Sequence, residues 1–69
     1  MSESPISDFD VAQAMVSYGG NFMQAIGVAW KRADQINANR LQAAFAEEWA
    51  AYRDLVALQR KRDREQARA

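Results

Sequence analysis

The sequence contains no cysteine and no histidine. The first absence excludes disulfide cross-links and thiol chemistry. The second removes the commonest zinc ligand and the side chain best suited to proton transfer near neutral pH. There is one proline, Pro5, and three glycines, none of them beyond Gly27. From Val28 to Ala69, therefore, no residue type forces a turn. No apolar run approaches the ~20 residues needed to span a bilayer. The start, Met1-Ser2-Glu3-Ser4-Pro5, has neither the basic region nor the apolar segment of a secretory signal. The expectation is a cytoplasmic protein with no membrane association.

The same absences bear on catalysis. There is no glycine-rich phosphate loop and no G-x-S-x-G elbow. The paired carboxylates Glu47-Glu48 are sequence neighbours, which point to different sides of a helix. Acid–base chemistry needs groups that converge in a cleft, and 69 residues can hardly enclose one. No enzyme, no cofactor and no small-molecule substrate is expected. The D-F-D run at Asp8 to Asp10 lacks the glycine and distal glutamate of a calcium loop, so no metal site is expected either. Those acids suit a helix start.

Nine basic and nine acidic residues give zero net charge, unevenly distributed. Before Gln59 the acids Glu3, Asp8, Asp10, Asp34, Glu47, Glu48 and Asp54 outnumber Lys31, Arg32, Arg40 and Arg53. After it, Arg60, Lys61, Arg62, Arg64 and Arg68 face only Asp63 and Glu65. The tail could act as a phosphate-contacting strip. It is interrupted by acids, has no interleaved aromatics and belongs to a neutral protein. A solvated helix end favoured by the dipole is the simpler reading, and nucleic acid is not an expected partner.

The periodicity is helical throughout, and the expected fold is all-α within a single domain, residues 1–69. Residues 1–6 have a flexible composition. Ser7 reads as an N-cap, with Asp10 completing S-x-x-D. A short helix carrying Phe9, Val11, Ala12, Met15 and Val16 then ends at Gly19-Gly20, where a left-handed glycine is expected. Asn21 is expected to cap a middle helix with Phe22, Met23, Ile26, Ala29, Trp30 and Ala33 on one stripe. Gly27 inside it points to the close approach of another helix. Asp34 is the next expected N-cap, with Asn37 in the first turn. A long third helix follows, bearing Ile36, Leu41, Ala44, Phe45, Trp49, Tyr52, Leu55 and Val56 and ending in a charged, frayed tail over residues 59–69. Run unbroken from Asp34, it would reach roughly 50 Å. Too little chain remains to cover such a rod, so its apolar stripe, Leu41 to Val56, is expected to pair in a homodimer.

Among the aromatics, Phe22, Trp30 and Phe45 fit a core. Trp49 and Tyr52 lie beyond the shorter helices and, with Arg53 and Val56, form a candidate partner-binding set, because Trp, Tyr and Arg dominate interface hot spots.

The residues Tyr18-Gly19-Gly20-Asn21-Phe22, Ile26-Gly27, Trp30, Ala33-Asp34, Asn37, Arg40-Leu41, Ala44-Phe45, Trp49 and Tyr52 form a pattern that resembles short early proteins of temperate phages and prophages. The likeness covers Tyr18 to Tyr52. That pattern has a proline after A-A-F, before a last helix, where this chain carries Ala46. The best-known type of the group is the anti-activator that blocks quorum sensing in Pseudomonas. The resemblance implies a small helical dimer, acting in the host bacterial cytoplasm, that binds a LuxR-type transcription regulator and can also inhibit a pilus-assembly ATPase. No target-reading residue transfers with it. On this reading Asp8 and Asp10 join the candidate partner-binding set, since acids could engage a basic DNA-binding surface. The alternatives are a DNA-binding regulator using Arg60, Lys61, Arg62 and Arg64, or a phage structural or assembly protein.

Overall fold

In a computed structural model, which describes residues 5–67, the chain forms four helices and no strand among those residues: α1 (Asp8–Tyr18), α2 (Asn21–Arg32), α3 (Gln35–Ala44) and α4 (Ala46–Ala67). The all-α expectation holds; the expected count of three does not. The long third helix is two helices, divided at Phe45, which leaves helical geometry at φ −118°, ψ 40°. Backbone hydrogen bonds from Phe45 N to Leu41 O and from Trp49 N to Phe45 O bracket the joint. Neither glycine nor proline makes this break. Side-chain burial does: the bend lets Phe45 meet Phe22 edge-on, centroids 5.6 Å apart, and lets Trp49 reach Trp30 at 5.6 Å. Packing commonly overrides local propensity in this way.

The start of α1 follows the sequence closely. The Ser7 hydroxyl accepts from the Asp10 N–H, and the Asp10 carboxylate accepts from the Ser7 N–H, a reciprocal capping box. At α3 the Asp34 carboxylate accepts from the Asn37 N–H. The start of α2 differs from expectation. Gly20 is its N-cap, with no side-chain cap hydrogen bond, and Asn21 is the first helical residue.

Two glycines hold α1 and α2 together, and neither has a positive φ. At Gly19 the backbone is extended, not left-handed. A Cβ there would lie 2.5 Å from both the Met15 carbonyl oxygen and the Met23 Cβ, so this position needs glycine for room. Gly27 is buried, and its absent Cβ is the space through which α1 approaches, as its sequence position suggested: the nearest atoms would be Ala12 O at 2.8 Å and Val16 Cγ2 at 2.9 Å.

The core built on this contact is small. Val11, Ala12, Met15 and Trp49 form its centre, with Ile6, Ile26, Trp30 and Tyr52 packed around it. Apolar side chains elsewhere stay in solvent: Phe9, Tyr18, Phe22 and Ile36 are each more than half exposed. The expected burial of Phe22 is thus not found. Phe9 lies under the Lys31 ammonium, 4.8 Å from the ring centroid. The tail is helical through Ala67; Arg68 and Ala69 lie outside the described residues, as do the first four residues of the expected flexible start.

Candidate functional site

Three surface features are built on this frame. The first is an electrostatic seam between the start of α1 and the inner face of α4. Asp8 accepts from Arg53 Nη2 at 3.0 Å and from Trp49 Nε1 at 3.3 Å, while Arg53 Nη1 donates to the Ile6 carbonyl. Two turns further along α4, Arg60 donates to Asp10 Oδ2 at 3.0 Å. The seam fixes α4 against α1 across most of the chain length.

It also reassigns several sequence-selected residues. Trp49 is 6% exposed and belongs to the core, not to a surface hot spot. Asp8 and Asp10 each pair with an arginine of this chain, Arg53 and Arg60. Arg53 and Val56 are half-buried. Of the basic strip, Arg60 is bound to Asp10, Lys61, Arg62 and Arg64 are exposed along α4, and Arg68 lies outside the described residues.

The Asp10 carboxyl is held below its ordinary value of 3.8, first by the Ser7 backbone N–H, next by the Ser7 hydroxyl; partial burial opposes them and Arg60 adds to them. A carboxyl whose folded-state pKa is depressed binds fewer protons than in the unfolded chain. Its stabilising contribution is therefore present above pH 3.8 and lost as pH falls through the folded-state value. The Tm difference between wild type and Asp10→Asn should be constant above about pH 5 and shrink below it. A difference that stays flat down to pH 2 would show that the carboxylate is not the stabilising species.

The second feature is an apolar strip on the outer side of α4. The T-shaped pair Phe22 and Phe45 opens it. Tyr18, Ala51, Tyr52 and Leu55 then surround a hollow of about 350 Å³, and Leu58, 45% exposed, extends it one turn further. Sequence reasoning singled out Tyr52 here but missed Tyr18, Phe22 and Leu58. Tyr18 falls at the last residue of α1, where no stripe includes it, and Phe22 was assigned to the core.

The third feature is a groove of about 520 Å³ between α2 and α3, floored by Ala29, Ala33, Leu41 and Ala44 and rimmed by Arg32 and Arg40. No group of three or more His, Cys, Asp or Glu side chains converges among the described residues, and no described helix is long and apolar enough to cross a membrane.

The fold and these surfaces define a small all-helical protein with open apolar faces. Compared with protein-family models, with curated proteins and with solved structures, the chain matches none.

Proposed function

We propose that this chain is a non-enzymatic inhibitor that acts as a homodimer and binds a host protein in the bacterial cytoplasm. The proposed class of target is a LuxR-type quorum-sensing regulator, with a pilus-assembly ATPase as a second target. The target class rests on the likeness to phage early proteins. The observation that carries the binding reading is the pair of exposed aromatics where α1 meets α2: Tyr18 and Phe22 are each 61% exposed, while among the described residues the large side chains that are fully buried are Met15 and Val11. Exposed aromatics grouped in this way mark interaction surfaces.

The test is co-expression with a LuxR-type regulator. Recovery of a stoichiometric complex whose regulator no longer retards its operator DNA is the expected result, with Tyr18→Ala/Phe22→Ala weakening capture at least tenfold, as hot-spot truncation does. Full operator binding in the presence of excess inhibitor would rule out that target class. The DNA-binding alternative predicts retardation of duplex DNA that collapses with salt. It is disfavoured by the Arg60–Asp10 pair, which takes the first base of the strip. An assembly role predicts the protein in purified particles.

A further inference from the structure

The outer face of α4 is complementary to itself in one orientation. Glu48, Leu55 and Arg62 stand seven residues apart, so they fall on one line along the helix, and Ala51 and Leu58 interleave with them at steps of three and four. The opposite face of α4 carries Trp49, Val56 and Arg60, already committed to α1. Along the outer line Glu48, Ala51, Leu58 and Arg62 are exposed and Leu55 is half-buried. Neither Glu48 nor Arg62 takes part in an ion pair among the described residues.

Placing the line against itself head to head would set Glu48 against Glu48 and Arg62 against Arg62. Reversing one copy about Leu55 sets each Glu48 beside an Arg62. Seven residues separate each charge from the centre, so both charge pairs form at the same register. In that register Leu55 meets Leu55, Leu58 lies level with Tyr52, and Ala51 lies level with Gln59. One copy's Leu58 then has the hollow lined by Tyr18, Ala51, Tyr52 and Leu55 to fill.

We infer that a second copy of this chain packs antiparallel along this face, with its twofold axis at Leu55 and with Glu48 of each copy paired to Arg62 of the other. Isologous contacts of this kind close as a dimer. The inference rests on the homodimer reading above and adds its surface and orientation. It also moves the pairing from the expected Leu41 to Val56 stripe, which holds the buried Trp49, to the residues from Glu48 to Arg62.

The absence of native cysteine makes the geometry directly testable by cross-linking. Under mild oxidation, Leu55→Cys should link to itself in high yield. Glu48→Cys and Arg62→Cys should each link poorly alone and efficiently when mixed. In sedimentation equilibrium, Glu48→Arg alone and Arg62→Glu alone should each weaken the dimer about tenfold, because two symmetric attractions become repulsions. The double variant should return to within about threefold of wild type. Self-linking of Glu48→Cys above that of Leu55→Cys would overturn the antiparallel arrangement. A stable dimer in which Leu55→Cys does not link would overturn the face while leaving the homodimer intact. A wild-type monomer at about 100 µM, a concentration at which an interface of this size is populated, would overturn both the face and the homodimer, and leave target capture as a separate measurement.

Discussion

Replacing Gly27 with valine should abolish cooperative folding. A Cβ at this position would sit 2.8 Å from the Ala12 carbonyl oxygen, 2.9 Å from Val16 Cγ2 and 3.1 Å from Met15 Cβ. Only the second of these neighbours can swing aside; the other two are fixed to the α1 backbone. Admitting even one methyl therefore means moving α1 as a body, and valine adds three carbons. Overpacking a tight core costs typically ~1–3 kcal/mol, and the displaced helix carries Val11, Ala12, Ala14 and Met15, four of the six buried apolar residues among those described. A core in a chain this short supplies rarely more than about 3–5 kcal/mol in all. Gly27→Ala should be the milder case, since alanine recovers up to ~1 kcal/mol of helix propensity against a smaller clash. Circular dichroism on heating should show no sigmoidal transition for G27V and a lowered Tm for G27A. A G27A protein that melts above wild type would show that α1 and α2 are not in contact at this point.

What could be read in the sequence was local. Ser7 with Asp10, and Asp34 with Asn37, declare helix starts through donors and acceptors three residues apart, and both caps form. Gly27 announces a helix contact because a helix-interior glycine has a cost that something must offset. The break at Phe45 was less legible, because the forces that make it act over long sequence distances. Trp49 bonds Asp8, 41 residues away, and Arg60 reaches Asp10 over 50. One local sign was present: Glu47 and Glu48 fall in the first turn of α4, where the helix dipole favours acids. As sequence neighbours these two acids suggest an acid–base pair; as first-turn residues they mark a helix start.

The candidate site divides along the same line. Tyr52 could be placed by its type and spacing. Trp49 could not, since a tryptophan past the reach of the short helices looks exposed until α4 folds back across α1. That fold-back also reassigns the acids: once Arg53 and Arg60 face α1, Asp8 and Asp10 are their natural partners. The side of α4 away from Trp49 keeps Glu48, Ala51, Leu58 and Arg62 exposed.

Trp49→Ala should therefore fail as a folded protein rather than as a binder. Among the buried apolar residues Val11, Ala12, Ala14, Met15, Ala38 and Trp49, three are alanines, and Trp49 is by far the largest side chain. Removing it empties the space between α1, Trp30 and α4, and strips Asp8 of the indole N–H. Trp→Ala truncations in cores cost about 3–5 kcal/mol, equal to the whole stability available at this chain length. Trp49→Phe keeps a ring against Met15 and Trp30 and loses only the N–H bond and part of the volume, so it should still melt cooperatively at a lower temperature. The surface reading of Trp49 predicts the reverse: unchanged melting for Trp49→Ala with lost partner capture. Thermal unfolding of the two variants beside Leu58→Lys, which leaves the core intact and should keep wild-type melting at low protein concentration, separates these cases. Cooperative melting of Trp49→Ala near the wild-type temperature would mean that α4 does not close over α1, and the outer face from Glu48 to Arg62 would then lose the frame that presents it.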